Sequence, residues 1–383
     1  MRMKKILWIC GLPNDVRLHG WEKPLSPVKT AAWSWILGHL PPVGVELHIL
    51  CPVVGLIEPR IDFKYMGAEW HCFRRDRRRF IFRYIRYVIG IRRFVRLLAP
   101  EAIHGWGGET GFGFMATQFS RRAVVSVQGL LLLLYNALSD EFKAKMSTRM
   151  GRCVMRQERL TYSRAARLVC ESETSNASLK QYYGCRGVVV PQPLRAAFYE
   201  EHEIKRNAVP TFLFVGSLVD RKGAIDVVKA FAAVRDERAK LIMIGEGVAE
   251  TEIRELILKE GLVGRVELLG GCTAEVVAEN MRRAHFFALP SYADTGPNAL
   301  KEALACGLFP ICYDNSGPHE YLTRYCGYLC QTGDVGSYAA ALNRALTNAE
   351  GCLHEGTCAS GRIRDDLSRT HVWEMLRGVY DEL

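Results

Sequence analysis

Runs of four to six apolar residues recur along the chain, and between several of them apolar positions fall at helical spacing. In the first half the strand-like runs are Lys5–Cys10, Val45–Cys51, Ala102–Trp106, Ala123–Val127, Ala166–Cys170 and Gly187–Pro191, with helical patterns over Val28–His39 and Glu141–Ser163. The second half repeats the scheme with strands at Thr211–Val215, Ala239–Ile244, Arg265–Leu269, His285–Leu289 and Leu308–Cys312. Between two of these, Ile253, Leu256 and Ile257 stand at i, i+3 and i+4 and the pattern stops at Gly261, as an amphipathic helix does. Strand and helix in alternation predict βαβ units and parallel sheets. Two successive sets in 383 residues predict an α/β chain of two Rossmann-like, doubly wound domains facing each other across a cleft.

The polar stretch Glu200–Asn207 has no strand pattern and marks the expected seam. The expected organisation is a first domain over 1–200, a second over 201–365, and a closing segment over 366–383. That segment sets Val372, Trp373, Leu376, Val379, Tyr380 and Leu383 at helical spacing. Ligands of open parallel sheets sit beyond the carboxyl ends of the strands, so the chemistry is sought there.

Composition narrows the class. With 49% hydrophobic and 24% charged residues, long disordered arms are not expected. None of the 13 cysteines forms a Cys-x-x-Cys pair, and Cys10, Cys170 and Cys312 lie inside apolar runs, where cysteine acts as a small hydrophobe. The expectation is a reduced, cytoplasmic protein. Met1–Lys5 leads straight into a strand, which predicts no signal peptide, and the apolar run Leu130–Leu134 is too short to span a bilayer.

Two clusters at strand ends carry candidate chemistry. In Val215-Gly216-Ser217-Leu218-Val219-Asp220-Arg221-Lys222-Gly223 a strand ends, a loop presents two cations, and Gly223 opens the next helix. Cations beside a helix N-terminus suit a diphosphate, although an exposed Arg-Lys pair in a loop is common. In Leu289-Pro290-Ser291-Tyr292-Ala293-Asp294-Thr295-Gly296-Pro297-Asn298 a strand ends, a polar loop carries Asp294, and a helix starts near Pro297 and stops at Gly307. Glu302 lies inside that helix. Carboxylates there suit sugar and ribose hydroxyls, while each alone reads equally as a turn aspartate or a solvated helix glutamate. Gly245-Glu246-Gly247 and Asn315–Glu320 follow two further strands and are weaker signals.

Taken in order, Gly-x-Leu-x-x-x-Lys-Gly, Ile-Gly-Glu-Gly, Val-Glu-Leu-Leu-Gly and Leu-Pro-Ser-x-x-Asp-x-Gly-Pro-Asn-x-x-x-Glu-Ala-x-Ala-Cys-Gly resemble the donor domain of retaining family-4 glycosyltransferases of GT-B fold. The likeness is strong over Thr211–Gly336 and general over the first half. It implies that Lys222, helped by Arg221, holds a donor diphosphate, and that Glu302 binds the nucleotide ribose. It implies that Asp294 contacts the transferred sugar and that Gly296, Pro297, Asn298, Ala299 and Leu300 offer backbone amides. Gly216, Ser217 and Gly245 would complete the donor side, with Gln128 and Gly11 on the acceptor side. Three positions depart from the pattern: Asp294 replaces the usual glutamate, Ser217 a frequent arginine, and Gln128 a frequent histidine.

The resemblance implies a hexosyltransferase-type enzyme that retains anomeric configuration through front-face attack. Its donor would be a nucleotide-diphosphate sugar and its acceptor a glycan or lipid-linked glycan of cell-surface polysaccharide assembly. No resident cofactor is expected. No Asp-x-Asp motif occurs, so the leaving group would be neutralised by Arg221, Lys222 and helix amides rather than a metal. The rival readings are a non-catalytic sugar-binding or scaffolding subunit, a nucleotide-sugar epimerase, or a phosphorylase-like enzyme, for which no pyridoxal lysine site is found.

The formal charge of +10 concentrates between Arg74 and Arg96, where ten arginines are interleaved with Phe80, Ile81, Phe82, Tyr84, Ile85, Phe94, Val95 and other apolar residues. This is the pattern of an interfacial helix on an anionic lipid surface, such as the inner face of the cell membrane. It is also the pattern of a helix packed on a sheet with solvated arginines. No nucleic-acid-binding motif is present, and nucleic acid is not an expected partner.

Overall fold

A computed structural model describes residues 3–13, 33–75, 81–137, 140–199 and 204–383 of the chain, without the side chains of 81–87, 137, 140–142 and 316. The chain divides into two compact units. Among the described residues one comprises 3–13, 33–193 and 369–383, and the other 194–368. The division falls before Leu194, and Glu200, Glu201 and Glu203 of the expected seam lie outside the described residues.

The first unit holds β1 (Lys4–Ile9), β2 (Val45–Val54), β3 (Arg60–Tyr65), β4 (Ala68–Arg75), β5 (Ala102–Trp106), β6 (Ala123–Val127), β7 (Arg167–Cys170) and β8 (Val188–Val189). They form one sheet in the order β3-β4-β2-β1-β5-β6-β7-β8, parallel except for the edge strand β3. The spacing of apolar residues gives no sign of β3 and β4. They make a hairpin closed by Met66-Gly67, both at positive φ (47° and 74°), the backbone that matches the twist of paired strands. Methionine in the first turn position hides the usual Asn-Gly signal.

Two expected helices need correction. Glu141–Ser163 is two helices, Asp140–Ser147 and Arg149–Arg164, because Thr148 turns extended and its hydroxyl caps the second by accepting from Gly151 N at 3.1 Å. Of Val28–His39 the described part is a short 3-10 helix, Ser34–His39, and the residues before Trp33 lie outside the described set.

The first unit's core centres on Trp8, stacked on Trp373 of the closing helix Arg369–Asp381 with ring centroids 5.4 Å apart. A polar chain runs through this apolar centre. Trp8 Nε1 donates to the Tyr380 hydroxyl at 2.9 Å, and that hydroxyl bonds His104 Nδ1 at 2.7 Å. His104 Nε2 in turn bonds Ser126 Oγ at 2.8 Å, which extends the chain to β6. Burial pushes His104 down to about 3, which keeps the ring neutral.

The arginine-rich stretch falls into separate elements. Arg74 and Arg75 belong to β4, Asp76–Phe80 lie outside the described residues, and Ile81–Leu98 is a helix. In its C-terminal half Ile91, Phe94 and Val95 are buried in a cluster with Leu7, Ile9 and Leu50 of the sheet. Arg92, Arg93 and Arg96 are exposed, as are Ile89 and Leu97. No described helix is long and apolar enough to cross a membrane.

The second unit holds β9 (Thr211–Val215), β10 (Lys240–Ile244), β11 (Val266–Gly270), β12 (Phe286–Leu289), β13 (Phe309–Tyr313) and β14 (Tyr328–Cys330). All are parallel, in the order β11-β10-β9-β12-β13-β14. Phe212, Phe231 and Phe286, all fully buried, pack ring to ring behind β9, 4.9–6.0 Å between centroids. The chain winds outward from β9 to β11 and then returns to β12 on the other side of β9. The carboxyl ends of β9 and β12 therefore flank the sheet's switch point, where such folds open a ligand crevice.

Candidate functional site

The two loops that leave β9 and β12 meet at that switch point. The first runs from Gly216 through a 3-10 turn, Asp220–Lys222, to Gly223 at φ 66°. A Cβ at Gly223 would lie 1.9 Å from the Pro290 carbonyl oxygen, so only glycine lets the loops touch backbone to backbone. Gly245 is under the same constraint, with a virtual Cβ 1.9 Å from the Gly216 oxygen. Three bonds then bolt the loops together. The Arg221 carbonyl accepts from Tyr292 N at 2.9 Å and from Ser291 Oγ at 3.1 Å, and Arg221 Nη1 donates to the Ala293 carbonyl at 2.9 Å. Arg221 thus spends one guanidinium nitrogen on the second loop's backbone.

Lys222 Nζ reaches across to the Asp294 carboxylate and is ion-paired with it. The side chains are 18% and 13% exposed, so the pair is mostly withdrawn from water yet keeps an open side. Burial alone would raise the Asp294 carboxyl, but Lys222 and Arg221 outweigh it and hold it below the usual carboxylate value. The Asp294 carbonyl is fixed by Gly317 N at 2.8 Å.

The helix Asn298–Ala305 starts directly after this loop, with Pro297 at its N-cap and no side-chain cap. Not every expected amide is available. Pro297 carries none, and Leu300 N already donates to the Pro297 carbonyl at 3.0 Å while its side chain is fully buried. Gly296, Asn298 and Ala299 each carry a backbone amide near the positive end of the helix dipole. Ser217 is half-buried beside Gly216 in the first loop.

Glu302 lies one turn further in and is only 5% exposed. Its Oε1 accepts from Arg195 Nε at 2.8 Å, and Arg195 Nη2 lies 2.8 Å from the same oxygen. Burial raises the Glu302 carboxyl above its ordinary value, with Arg195 offsetting part of the rise. The two carboxylates of the expected site are therefore pushed in opposite directions. Arg195 escaped the sequence reading because it lies 107 residues away and was assigned to the first domain. Asp226 was missed as well: its Oδ2 accepts from Tyr292 at 2.6 Å and Tyr313 at 2.9 Å, which braces the Asp294 loop from below. Burial and Asp226 together push Tyr292 up to about 12.

In the first unit, Gln128 accepts from Gln192 Nε2 at 2.8 Å. With His39, Trp106, Ser126 and Glu171 it lines a small pocket at the carboxyl ends of β5, β6 and β7. Gly11 serves close packing, since a Cβ there would fall 2.2 Å from Trp33 Nε1. Nearby on the β5 loop, burial pushes Glu109 up to about 8, and it pushes Glu158 to about 7. Glu158 is fully buried and bonded by Leu131 N, Tyr162 and Tyr183. Neither glutamate had a sequence signal. Among the described residues no three His, Cys, Asp or Glu side chains come together in a metal-holding group.

Known proteins share this architecture. Residues 198–355 match the family model of glycosyl transferases group 1. An uncharacterized glycosyltransferase of Methanocaldococcus jannaschii is 25% identical over 57% of this chain and 60% of its own length. A Campylobacter jejuni enzyme, N-acetylgalactosamine-N,N'-diacetylbacillosaminyl-diphospho-undecaprenol 4-alpha-N-acetylgalactosaminyltransferase, is 34% identical over 28% of this chain and 29% of its own length. The aligned parts thus span less than two thirds of these relatives. Two solved structures superpose along nearly the whole chain. Sucrose-phosphate synthase from Thermosynechococcus elongatus does so at TM-score 0.79, 17% identity and 99% and 98% coverage, and Anabaena HepE with UDP and glucose at 0.73, 14%, and 99% and 100%. At such identities the likeness speaks for the fold, which is that of GT-B glycosyltransferases. The segment 198–355, with Lys222, Asp294 and Glu302 at its switch point, is thus similar to glycosyl transferases group 1, on a fold that is that of GT-B glycosyltransferases.

Proposed function

We propose that this chain is a retaining, metal-independent glycosyltransferase of hexosyltransferase type, taking its sugar from a nucleotide-diphosphate sugar. The observation that carries this reading is the Lys222–Asp294 pair between the β9 and β12 loops, beside an uncapped helix N-terminus. A diphosphate entering there meets a lysine already aimed at an anion, the remaining nitrogens of Arg221, and helix amides that need no reorganisation. As the donor's phosphate takes over Lys222, Asp294 is released towards the sugar, whose hydroxyls a carboxylate can bind two at a time. The charge that develops on the leaving diphosphate is then stabilised by groups fixed in advance. Glu302 takes the ribose hydroxyls. The acceptor is a glycan or lipid-linked glycan, a reading supported by the diphospho-undecaprenol substrate of the Campylobacter relative. Work at the inner face of the cell membrane, by a cytoplasmic protein in peripheral contact with anionic lipid, fits that acceptor.

The test is a panel of nucleotide sugars incubated with the chain, with released nucleoside diphosphate measured in EDTA and in magnesium or manganese. Slow release from one donor, unchanged by EDTA, is expected, and NMR of the sugar product should show the donor's anomeric configuration. Complete loss of turnover in EDTA, restored by metal, would refute metal independence, and an inverted product would refute retention.

A further inference from the structure

Glu302 is held by an arginine outside the matched motif. Arg195 precedes a short helix, Ala196–Tyr199, that is tied to the second unit's core. Leu194 N donates to Leu367 O at 3.1 Å, Arg282 donates to Ala197 O at 3.1 Å, and Phe198 is 1% exposed. The Arg195 guanidinium lies over the Phe198 ring, 4.9 Å from its centroid, which fixes its plane. From that platform two of its nitrogens converge on one carboxylate oxygen, Oε1 of Glu302. Among the described residues none donates to Oε2. An arginine that only neutralised a buried glutamate would gain most by bridging both oxygens, as a bidentate fork. Here both nitrogens load one oxygen.

We propose that Arg195 is a positioning residue for the donor nucleotide: by holding Glu302 through Oε1 it presents Oε2 to the ribose hydroxyls and sets the preference for ribonucleotides over deoxyribonucleotides. This rests on the ribose reading of Glu302 given above. The arginine also favours the ionised carboxylate, offsetting part of the burial that disfavours charge. An ionised oxygen is the stronger acceptor for a hydroxyl.

The experiment is calorimetric titration of the whole chain with UDP, GDP and ADP and with their 2′-deoxy forms. It compares wild type, Glu302→Gln, Arg195→Met, Arg195→Lys and the Glu302→Gln/Arg195→Met pair. Wild type should prefer the ribonucleotide by about tenfold, the size of one hydrogen bond to a charged group. Glu302→Gln and Arg195→Met should each lose most of that preference by weakening ribonucleotide binding alone. Arg195→Lys, which offers one donor direction in place of the fork, should fall between. The paired variant should discriminate no worse than Glu302→Gln alone, because both changes remove one interaction. Arg195→Met that keeps full discrimination, or that weakens both nucleotide forms equally, overturns the assignment to Arg195. Should Arg195→Met fail to fold, unchanged discrimination in Arg195→Lys overturns it. Wild type with no ribo preference, or Glu302→Gln that keeps it, instead overturns the ribose reading of Glu302.

Discussion

Lys222 and Asp294 lie 72 residues apart on the loops after β9 and β12, and the lysine is bonded to the aspartate. The pair makes the two loops one electrostatic unit. On the proposed reading a diphosphate competes with Asp294 for the same ammonium, which would couple donor binding to the placing of Asp294.

The coupling predicts opposite effects for the two partners. Lys222→Ala should weaken nucleoside diphosphate binding and turnover by about 2–4 kcal/mol of stabilisation. Asp294→Asn should bind nucleoside diphosphate at least as tightly as wild type, since an internal competitor is gone, yet transfer sugar far more slowly. Titration and initial rates on the two variants check this. Weaker diphosphate binding by Asp294→Asn would contradict the competition.

Stability separates from function at the same pair. Lys222→Ala leaves a mostly buried carboxylate without its partner, so its melting temperature should fall. The double change Lys222→Ala/Asp294→Asn should recover that loss without recovering nucleotide binding. Recovery of both would mean that Lys222 acts only through folding.

Glu302→Gln should raise the donor's KM more than it lowers kcat, because a ribose contact is alike in ground and transition states. A fall in kcat at unchanged KM would move Glu302 from the nucleotide to the reacting sugar.

Much of this was legible in the chain, and the exceptions share a cause. The strands that lead into the candidate site, β9 and β12, are short apolar runs ended by glycine or proline, and local sequence reports such features well. Arg195 could not be read because its meaning depends on meeting Glu302 in three dimensions, 107 residues on. The β3–β4 hairpin was missed because its turn is Met66-Gly67, and one long helix proved to be two because Thr148 was read as an interior residue rather than a cap. Pro297 and Leu300 fit the motif's spacing, but an amide is useful only where it exists and is not already bonded.

The buried acids of the first unit predict a pH dependence. Glu109 is pushed up to about 8 and Glu158 to about 7, both above the ordinary value of 4.5, chiefly by burial. Tyr162, Tyr183 and Glu171 face these groups and supply no positive charge. A raised value means that the folded state holds the proton longer than the unfolded chain does. Stability from these groups is complete below 4.5 and lost as pH rises through about 7 to 8. Glu109→Gln, which mimics the protonated acid, should raise the melting temperature at pH 9 and change it little at pH 5. Equal shifts at both pH values would contradict the assignment.

The helix Ile81–Leu98 carries the membrane proposal. With Arg92, Arg93 and Arg96 exposed beside Ile89 and Leu97, it should sediment the chain with anionic vesicles at low salt and release it at high salt. Binding indifferent to lipid charge and salt, or none, would leave the arginines as a solvated face.

The central claim is that the switch point of the second sheet is a nucleotide-diphosphate site built on Lys222. Titrating UDP, GDP and ADP into wild type and into Lys222→Ala/Asp294→Asn, the folded variant without the cation, tests it most directly. The account predicts saturable binding of at least one nucleoside diphosphate to wild type and a loss of about 30-fold or more in the variant, the lower end of the range expected above. Equal affinity in the two proteins, or no binding to wild type at all, would contradict it.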